Sequence, residues 1–224
     1  MKRSKTKVKK KLICFDLDNT LIHSDIAHIR AYRKSLKKQG YPQITSKQLS
    51  EKFGIPSRIY LKDLIPKITK REIESIKKLH DRYLQEESKK YVHLIRGVKG
   101  TLKKLKKDYS LAIVTNCNKE NINILAKAAN LNLSLFDIIV SNDVKTPPKP
   151  APDEIIKAEH LLHNKADFMV GDTIYDIIAA RRAKVKCIAV TSGLHSRAKL
   201  KKERPYKILK SVKDIPKFLE KEKC

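Results

Sequence analysis

Short apolar runs that alternate with helical patterns are the feature that most limits what this chain can fold into. Each run is partly β-branched and is bounded by polar residues or glycine, as buried strands are. The runs are KLICFD (11–16), SLAIVT (110–115), FDIIV (136–140), DFMVG (167–171) and KCIAVT (186–191), with YKIL (206–209) as an edge strand. Helical patterns lie between them, at 98–108, 119–130, 151–163 and 174–183. This alternation predicts an α/β fold, with a Rossmann-like three-layer core whose parallel sheet is covered on both faces.

The stretch from residue 24 to residue 95 interrupts the alternation and contains no convincing strand. Its first part predicts a helix that ends at Gly40. TSKQ at 45–48 and TKRE at 69–72 match the capping box that opens helices. An all-helical insert directly after the first strand is positioned to act as a lid over the end of that strand.

The sequence therefore predicts three parts. They are a basic flexible tail at 1–10, an α/β core at 11–22 and 96–224, and a helical cap at 23–95. No apolar run reaches the roughly 18 residues that a membrane span needs, and no signal peptide is evident. The four cysteines are scattered without a CxxC pair, which indicates reduced thiols and a cytoplasmic protein.

The formal net charge of +27 has two interpretations. It is typical of proteins that bind nucleic acid or another polyanion. The basic residues are mostly lysines spread along nearly every polar face, which favours a general surface preference for lysine. Aromatic residues make up only 6% of the chain and tryptophan is absent, so a stacking platform for single strands is not expected.

Polar side chains follow the ends of several predicted strands. Ligands bind beyond the carboxyl ends of the strands in a parallel sheet, so these side chains are expected to meet at one edge. They are Asp16, Asp18, Thr115, Asn116, Lys149, Asp172 and Asp176.

The residue types at this edge suit phosphoryl chemistry. The carboxylates of Asp16, Asp18 and Asp172 form an oxygen-rich cluster of the kind that binds Mg²⁺. Lys149 offsets their negative charge, Asp18 is placed to hand a proton to a leaving group, and the Thr115 hydroxyl is placed to hold phosphoryl oxygens. Each residue also has a structural alternative: an Asp after a strand often caps the next helix, as Asp172 before TIYD would.

Four motifs in this order resemble those of the haloacid dehalogenase (HAD) superfamily. They are DLDNT at 16–20, TN at 115–116, KPAPD at 149–153 and GDTIYD at 171–176. The helical insert between the first two is similar to the cap of subfamily I, and the whole pattern is similar to that of the phosphoglycolate phosphatase-like group. Thr20 resembles the phosphatases more than the β-phosphoglucomutases.

The resemblance implies a role for each motif residue. Asp16 would attack phosphorus and form an aspartyl-phosphate, and Asp18 would protonate the leaving group and then activate water. Thr115, the backbone N–H of Asn116 and Lys149 would bind the phosphoryl group. Mg²⁺ would be held by Asp16, the backbone carbonyl of Asp18 and Asp172, with Asp176 supporting that site.

Outside the motifs, three positions depart from the family's pattern and one suggests a substrate contact. Asn19 and Lys184 stand where glycine is common, and Arg96 stands where proline is frequent. Arg58 in FGIPSR (53–58) resembles a residue of the substrate-specificity loop and could bind a carboxylate or second phosphate, although the very basic composition slightly favours a solvated arginine. His80 and His93 are assigned no role.

The sequence thus predicts a Mg²⁺-dependent phosphatase that acts on a small phosphorylated metabolite such as phosphoglycolate. A nucleotide or sugar-phosphate phosphatase is the alternative within the same class. A basic nucleic-acid-associated binding protein is the alternative from a different class. A monomer or a homodimer is expected.

Overall fold

The computed structural model of the chain describes residues 10–142 and 146–222. The predicted flexible tail therefore lies, apart from Lys10, outside the described residues. The strands are β1 Lys11–Phe15, β2 Ile22–His23, β3 His93–Leu94, β4 Tyr109–Val114, β5 Ile138–Val140, β6 Ala166–Gly171, β7 Lys186–Val190 and β8 Lys207–Leu209. The α-helices are α1 Asp25–Lys38, α2 Ser46–Glu51, α3 Ser57–Leu64, α4 Lys70–Tyr91, α5 Val98–Leu105, α6 Lys119–Ala128, α7 Asp153–Leu161, α8 Ile174–Arg182, α9 Arg197–Lys202 and α10 Ile215–Lys221.

Six strands form one parallel sheet in the order β5-β4-β1-β6-β7-β8. Strand β1 lies at the centre, where Leu12 to Phe15 are fully buried because both faces of the sheet are covered. Residues of α5, α6 and α10 pack in the apolar cluster on one face, and residues of α7, α8 and α9 pack in the cluster on the other. The predicted α/β class and three-layer core are confirmed.

Helices α1 to α4 form the helical insert between β2 and β3. Both predicted capping boxes are present: Thr45 with Gln48 opens α2, and Thr69 with Glu72 opens α4. Because their orphan N–H groups are satisfied by these local pairs, both helices begin where the sequence predicted. Helix α1 ends at Lys38, two residues before Gly40, whose backbone has a positive φ of 84°.

The expectation that residues 24–95 contain no strand is wrong at their end. His93–Leu94 form β3, which pairs antiparallel with Ile22–His23 in a two-stranded sheet. Two residues are too few to leave a periodic apolar pattern, so neither strand could be predicted from the sequence. This ribbon carries the chain into and out of the insert, next to the domain boundaries that were predicted at 22/23 and 95/96, which stay a prediction.

The helical insert has a core of its own and also packs against the sheet layer. Its own apolar cluster includes Leu36, Leu61 and Ile76. Ala27 of α1 and Leu84 of α4 belong instead to the cluster that covers one face of the sheet. The insert is therefore anchored at its base to the α/β core. No helix among the described residues is both long enough and apolar enough to cross a membrane.

Two of the positions where glycine is common in the family have left-handed backbone. Asn19 has φ 55° and Lys184 has φ 60°. Asn tolerates this region because its short polar side chain bonds locally, whereas Lys pays a steric cost of about 1 kcal/mol. The departures from glycine thus leave the local turns in place.

Candidate active site

The motif residues come together at the carboxyl edge of the sheet, as the sequence predicted. Asp16 follows β1, Thr115 and Asn116 follow β4, and Asp172 follows β6. The Asp16 N–H donates to the carbonyl of Val170 at 2.8 Å, which extends the β1–β6 pairing to Asp16. The backbone of Asp16 is therefore fixed by the sheet rather than by a mobile loop.

Lys149 lies at the centre of the acidic cluster. Its Nζ donates to Oδ1 of Asp16 at 2.6 Å, to Oδ1 of Asp176 at 2.7 Å and to the carbonyl of Val114 at 2.9 Å. All three donor positions of the buried ammonium are used, and the two carboxylates raise the pKa of Lys149 against the effect of burial. Lys149 is thus a permanent positive charge next to Asp16.

Both carboxylate oxygens of Asp176 already accept hydrogen bonds from the protein. Its Oδ2 accepts from the backbone N–H of Thr173 at 3.0 Å and from the Thr173 hydroxyl at 2.6 Å, which closes the capping box of α8. Its other oxygen is bound by Lys149. Asp176 therefore orients Lys149 and the start of α8, which agrees with a role outside direct metal ligation.

Asp172 has one oxygen without a partner. Oδ1 accepts from the Thr20 hydroxyl at 3.0 Å, whereas the buried Oδ2 has no hydrogen-bond partner within the described part of the chain. Ligand oxygens of Asp16, Asp172 and Asp176 lie within 4.8 Å of one another. A buried carboxylate with an unused oxygen next to a second carboxylate costs free energy unless a cation neutralises it.

The pKa values of Asp16 and Asp172 also indicate that a cation is needed at this cluster. Burial raises the pKa of Asp16, Lys149 lowers it, and Asp176 and Asp18 raise it again. Burial, followed by Asp16 and Asp176, raises the pKa of Asp172 well above its usual range. A divalent cation would reverse both shifts and keep Asp16 ionised, so the oxygen-only donor set fits Mg²⁺.

The carboxylate of Asp18 is surrounded by hydrogen-bond donors that the sequence did not predict. The hydroxyl of Ser24 donates to its Oδ1 at 2.5 Å, and the thiol of Cys117 donates to its Oδ2 at 3.1 Å. Burial raises the pKa of Asp18, but its contacts with His28, Ser24 and Cys117 lower it more, to about 2. Asp18 is therefore ionised in the free protein, which suits a base directly and requires it to gain a proton before it acts as an acid.

Asn116 contributes a side-chain contact that the sequence did not predict. Its amide accepts from the Lys149 N–H at 3.0 Å and donates to the Lys149 carbonyl at 3.1 Å. The same Nδ2 donates to the carbonyl of Gly54 at 2.8 Å. Because Gly54 belongs to the loop between α2 and α3, Asn116 connects the lysine loop of the core to the helical insert.

A cavity of about 240 Å³ lies between the sheet edge and the helical insert. Asp16, Asp18, Thr115 and Lys149 line its floor. The insert supplies the opposite wall, which includes Phe53, Gly54, Arg58, Tyr60, Lys77 and His80. The predicted site residues other than Asp172 thus line one cavity.

Arg58 reaches this cavity from the first turn of α3 rather than from the loop before that helix. Its side chain is exposed and faces the cavity, so the solvated alternative and the substrate alternative both remain open. Lys77 of α4 lines the same wall and was not predicted, because it is one lysine among many in the sequence. Together they place two cations on the side opposite Lys149.

Histidines that received no role in the sequence analysis lie beside Asp18. His28 Nε2 is 3.4 Å from Oδ1 of Asp18, and His28 Nδ1 is 3.0 Å from Nε2 of His80. His80 Nδ1 is in turn 2.9 Å from Oδ1 of Asp81. Helical spacing shows that these residues face inwards on α1 and α4, but not that the two helices bring them together.

A substitution at Gly193 tests the position of Asp172. A Cβ on Gly193 would lie 1.7 Å from Oδ2 of Asp172, so we expect Gly193→Ala to displace that carboxylate, to cost about 1–3 kcal/mol and to raise the Mg²⁺ concentration needed for half-maximal activity. Gly100 in α5 has no atom within 4 Å of its Cβ position, so Gly100→Ala should be neutral or stabilise by about 0.5–1 kcal/mol. Equal Mg²⁺ requirements in the two variants would contradict the assignment of Asp172.

The sequence of the chain matches one protein family over most of its length. Residues 13–190 match the family described as haloacid dehalogenase-like hydrolase. The chain belongs to this family. The hydrolase is 29% identical to the pyrophosphatase PpaX of Bacillus mycoides over 206 residues, which are 91% of this chain and 94% of the relative.

Solved structures share the fold of this hydrolase. A hydrolase from Pseudomonas syringae superposes with a TM-score of 0.85 at 24% identity, covering 95% of this chain and 99% of the other. A predicted phosphoglycolate phosphatase from Haemophilus somnus superposes with a TM-score of 0.83 at 24% identity, covering 94% and 98%. The resemblance indicated by the four motifs is thereby confirmed, and the chain is an enzyme of the haloacid dehalogenase-like hydrolase family.

Proposed function

We propose that this hydrolase is a Mg²⁺-dependent phosphatase that cleaves a small phosphomonoester through an aspartyl-phosphate on Asp16. The observation that carries the proposal is the arrangement of Asp16. It is fixed by the sheet, bound by Lys149 and placed on the cavity floor, and it lies near an oxygen of Asp172 that has no hydrogen-bond partner among residues 10–142 and 146–222. A carboxylate fixed in this way is a positioned nucleophile.

The protein groups around Asp16 fit the metal that the family implies. Asp16, the backbone carbonyl of Asp18 and Asp172 would hold Mg²⁺ there. The ion would supply charge stabilisation for the phosphoryl oxygens and keep Asp16 ionised.

The reaction then proceeds in two displacements at phosphorus. A carboxylate oxygen of Asp16 attacks phosphorus, the bond from phosphorus to the leaving oxygen breaks, and Asp18 donates its proton to that oxygen. Asp18, now ionised, takes a proton from water, which attacks the phosphorus of the aspartyl-phosphate. The bond between phosphorus and the Asp16 oxygen breaks, which releases inorganic phosphate and regenerates the Asp16 carboxylate.

Two other groups would hold the phosphoryl oxygens. The Nζ of Lys149 is already bound to Asp16 and remains next to it as charge moves onto the transferred group. The Thr115 hydroxyl lies just after β4 on the cavity floor and accepts from the Cys117 N–H at 3.2 Å, so its own proton is available to a phosphoryl oxygen.

The substrate class follows from the size and charge of the cavity. A space of about 240 Å³ fits a small metabolite, and Arg58 and Lys77 favour a second anionic group at its far side. Phosphoglycolate has such a group in its carboxylate. Pyrophosphate has one in its second phosphate and is a further candidate, because the Bacillus relative is named a pyrophosphatase. Nucleotides and sugar phosphates remain the alternative.

A panel of phosphate compounds tests this proposal. The panel contains phosphoglycolate, pyrophosphate, nucleotides and sugar phosphates, each assayed for phosphate release with Mg²⁺ and with EDTA. Release that requires Mg²⁺ supports the proposal, and the best substrate identifies the class. Folded protein that releases no phosphate from any member in Mg²⁺ would contradict it.

Arg58→Ala tests the contact of the helical insert with substrate. We expect KM for a substrate with a second anionic group to rise about tenfold or more, because one charge-assisted hydrogen bond is lost, while kcat changes little. Arg33→Ala is the matched control, since Arg33 is an exposed arginine of the insert that does not line the cavity. Equal KM values in the two variants would show that Arg58 is only solvated.

We also propose that the partner is a small metabolite rather than nucleic acid, and that the enzyme acts in the cytoplasm as a monomer or a homodimer. The helical insert over the site supports a small substrate, because the space that it leaves is narrow for a polymer such as nucleic acid. Binding of duplex or single strands that weakens steeply between low and physiological salt would instead favour a role for the +27 charge.

A further inference from the structure

Three potential metal ligands of different chemistry surround one side of the cavity floor. They are a carboxylate oxygen of Asp18, Nε2 of His28 and Sγ of Cys117, which all lie within 4.8 Å of one another. The His28 side chain is only 9% exposed, yet its Nε2 has no hydrogen-bond partner among the described residues. This nitrogen points at Oδ1 of Asp18, 3.4 Å away.

The residues behind His28 determine which of its ring nitrogens is available. Burial lowers the pKa of His80 to about 4, while hydrogen bonds from His80 and Asn121 outweigh burial and lower the pKa of Asp81. Neutral His80 must therefore donate from Nδ1 to ionised Asp81 and accept at Nε2 from Nδ1 of His28. Nδ1 of His28 is thus occupied by His80, and Nε2 is the ring nitrogen that faces Asp18 and is left for a further ligand.

We propose that Asp18, His28 and Cys117 form a second metal site, which binds Zn²⁺ and is distinct from the Mg²⁺ site at Asp16 and Asp172. The nitrogen and sulfur ligands select a borderline-soft cation such as Zn²⁺ over Mg²⁺, which prefers oxygen alone. The chain His28–His80–Asp81 supplies the outer hydrogen bonds that normally orient a metal-binding histidine.

The ligand atoms lie close enough together to share one tetrahedral ion. Zinc bond lengths of about 2.0–2.3 Å place a nitrogen and an oxygen ligand of a tetrahedral ion about 3.3–3.5 Å apart, and a sulfur and an oxygen ligand about 3.5–3.7 Å apart. The structure has 3.4 Å between Asp18 Oδ1 and His28 Nε2 and 3.1 Å between Asp18 Oδ2 and Cys117 Sγ. Only small side-chain shifts are therefore required for one ion to contact all three residues.

Binding of Zn²⁺ would change the protonation of Cys117 and occupy the carboxylate of Asp18. The Cys117 thiol loses its proton to solvent as the zinc–sulfur bond forms, and the Asp18 carboxylate becomes a ligand. The fourth position faces the cavity, which all three residues line. Zn²⁺ is then an inhibitor, because Asp18 can no longer exchange protons; this consequence rests on the proposed function, whereas the binding itself does not.

Direct metal binding tests the site independently of activity. The full chain carrying Cys224→Ser, which removes the thiol outside the described residues, is titrated with Zn²⁺ and with Co²⁺ in excess Mg²⁺. We expect one equivalent to bind, an increase in thermal stability with Zn²⁺, and a near-ultraviolet thiolate-to-metal charge-transfer band with Co²⁺. Displacement of Zn²⁺ by Mg²⁺, or the absence of binding, would overturn the proposal.

Variants identify the ligands. Cys117→Ser should remove the Co²⁺ band, and both Cys117→Ser and His28→Gln should lower Zn²⁺ affinity about tenfold or more. Cys187→Ala is the matched control, since Cys187 is a buried cysteine on the sheet, and it should keep the band. Unchanged affinity in folded Cys117→Ser and His28→Gln would contradict the assignment.

Zinc-edge X-ray absorption and inhibition by Zn²⁺ test the second metal site in two further ways. If neither variant folds by circular dichroism, X-ray absorption at the zinc edge of the Cys224→Ser protein decides, with one sulfur and one imidazole expected and an oxygen-only shell contradicting the site. Zn²⁺ should also inhibit phosphate release without being relieved by added Mg²⁺. If no substrate is found, the proposed function is contradicted. The Zn²⁺ and Co²⁺ titrations still decide whether the second metal site exists, because they need no substrate.

Discussion

Asp16→Asn is expected to lower phosphate release by about 10⁴-fold or more at saturating Mg²⁺. The substitution keeps the size of the side chain and removes the oxygen nucleophile, so no aspartyl-phosphate forms. The Lys149 contact at 2.6 Å also loses its ionic partner, although the amide oxygen still accepts a hydrogen bond. The measurement is the initial rate of phosphate release with the best substrate of the panel.

Asp167→Asn is the matched control for this prediction. Asp167 lies at the opposite end of β6 from Asp172, and its carboxylate is 3.7 Å from the exposed Lys11. A surface ion pair of this kind contributes little, so activity should be unchanged. If Asp16→Asn retained a tenth of the activity of the original chain, the nucleophile would have to be another group.

Lys149→Met is expected to lower the free energy of unfolding by about 3–5 kcal/mol, besides removing activity. The ammonium is buried and bonded to Asp16 and Asp176, so its removal leaves two carboxylates without the charge that compensates them. Methionine fills a similar volume, which separates the electrostatic effect from a cavity. The measurement is urea unfolding at 25 °C without added metal.

The loss should depend on pH. Burial raises the pKa of Asp16 to about 7 even though Lys149 lowers it, so removal of Lys149 raises that pKa further. An acid whose pKa is higher in the folded state destabilises the fold increasingly as pH rises from its unfolded value through its folded value. The destabilisation by Lys149→Met should therefore be larger at pH 8 than at pH 5.

Lys103→Met is the control for both measurements. Lys103 lies on the exposed side of α5, so its replacement should change stability by no more than about 0.5 kcal/mol at either pH. A Lys149→Met variant that matched this control would show that the buried cluster is neutralised in another way.

The sequence alone determined the α/β class and the position of most motif residues. Buried parallel strands appear as short continuous apolar runs, and the carboxyl ends of such strands meet at one edge, so Asp16, Thr115 and Asp172 could be placed together without coordinates. The capping boxes at Thr45 and Thr69 likewise fixed two helix starts, because the hydrogen bonds involved span only three residues.

Only the tertiary structure decided what surrounds Asp18. His28, His80 and Cys117 come from α1, α4 and the end of β4, and their distances depend on how the helical insert packs over the sheet edge. Local periodicity shows which face of a helix is buried but not which residue of another helix it meets. The side-chain link from Asn116 to Gly54 was unpredictable for the same reason, because it joins residues 62 positions apart.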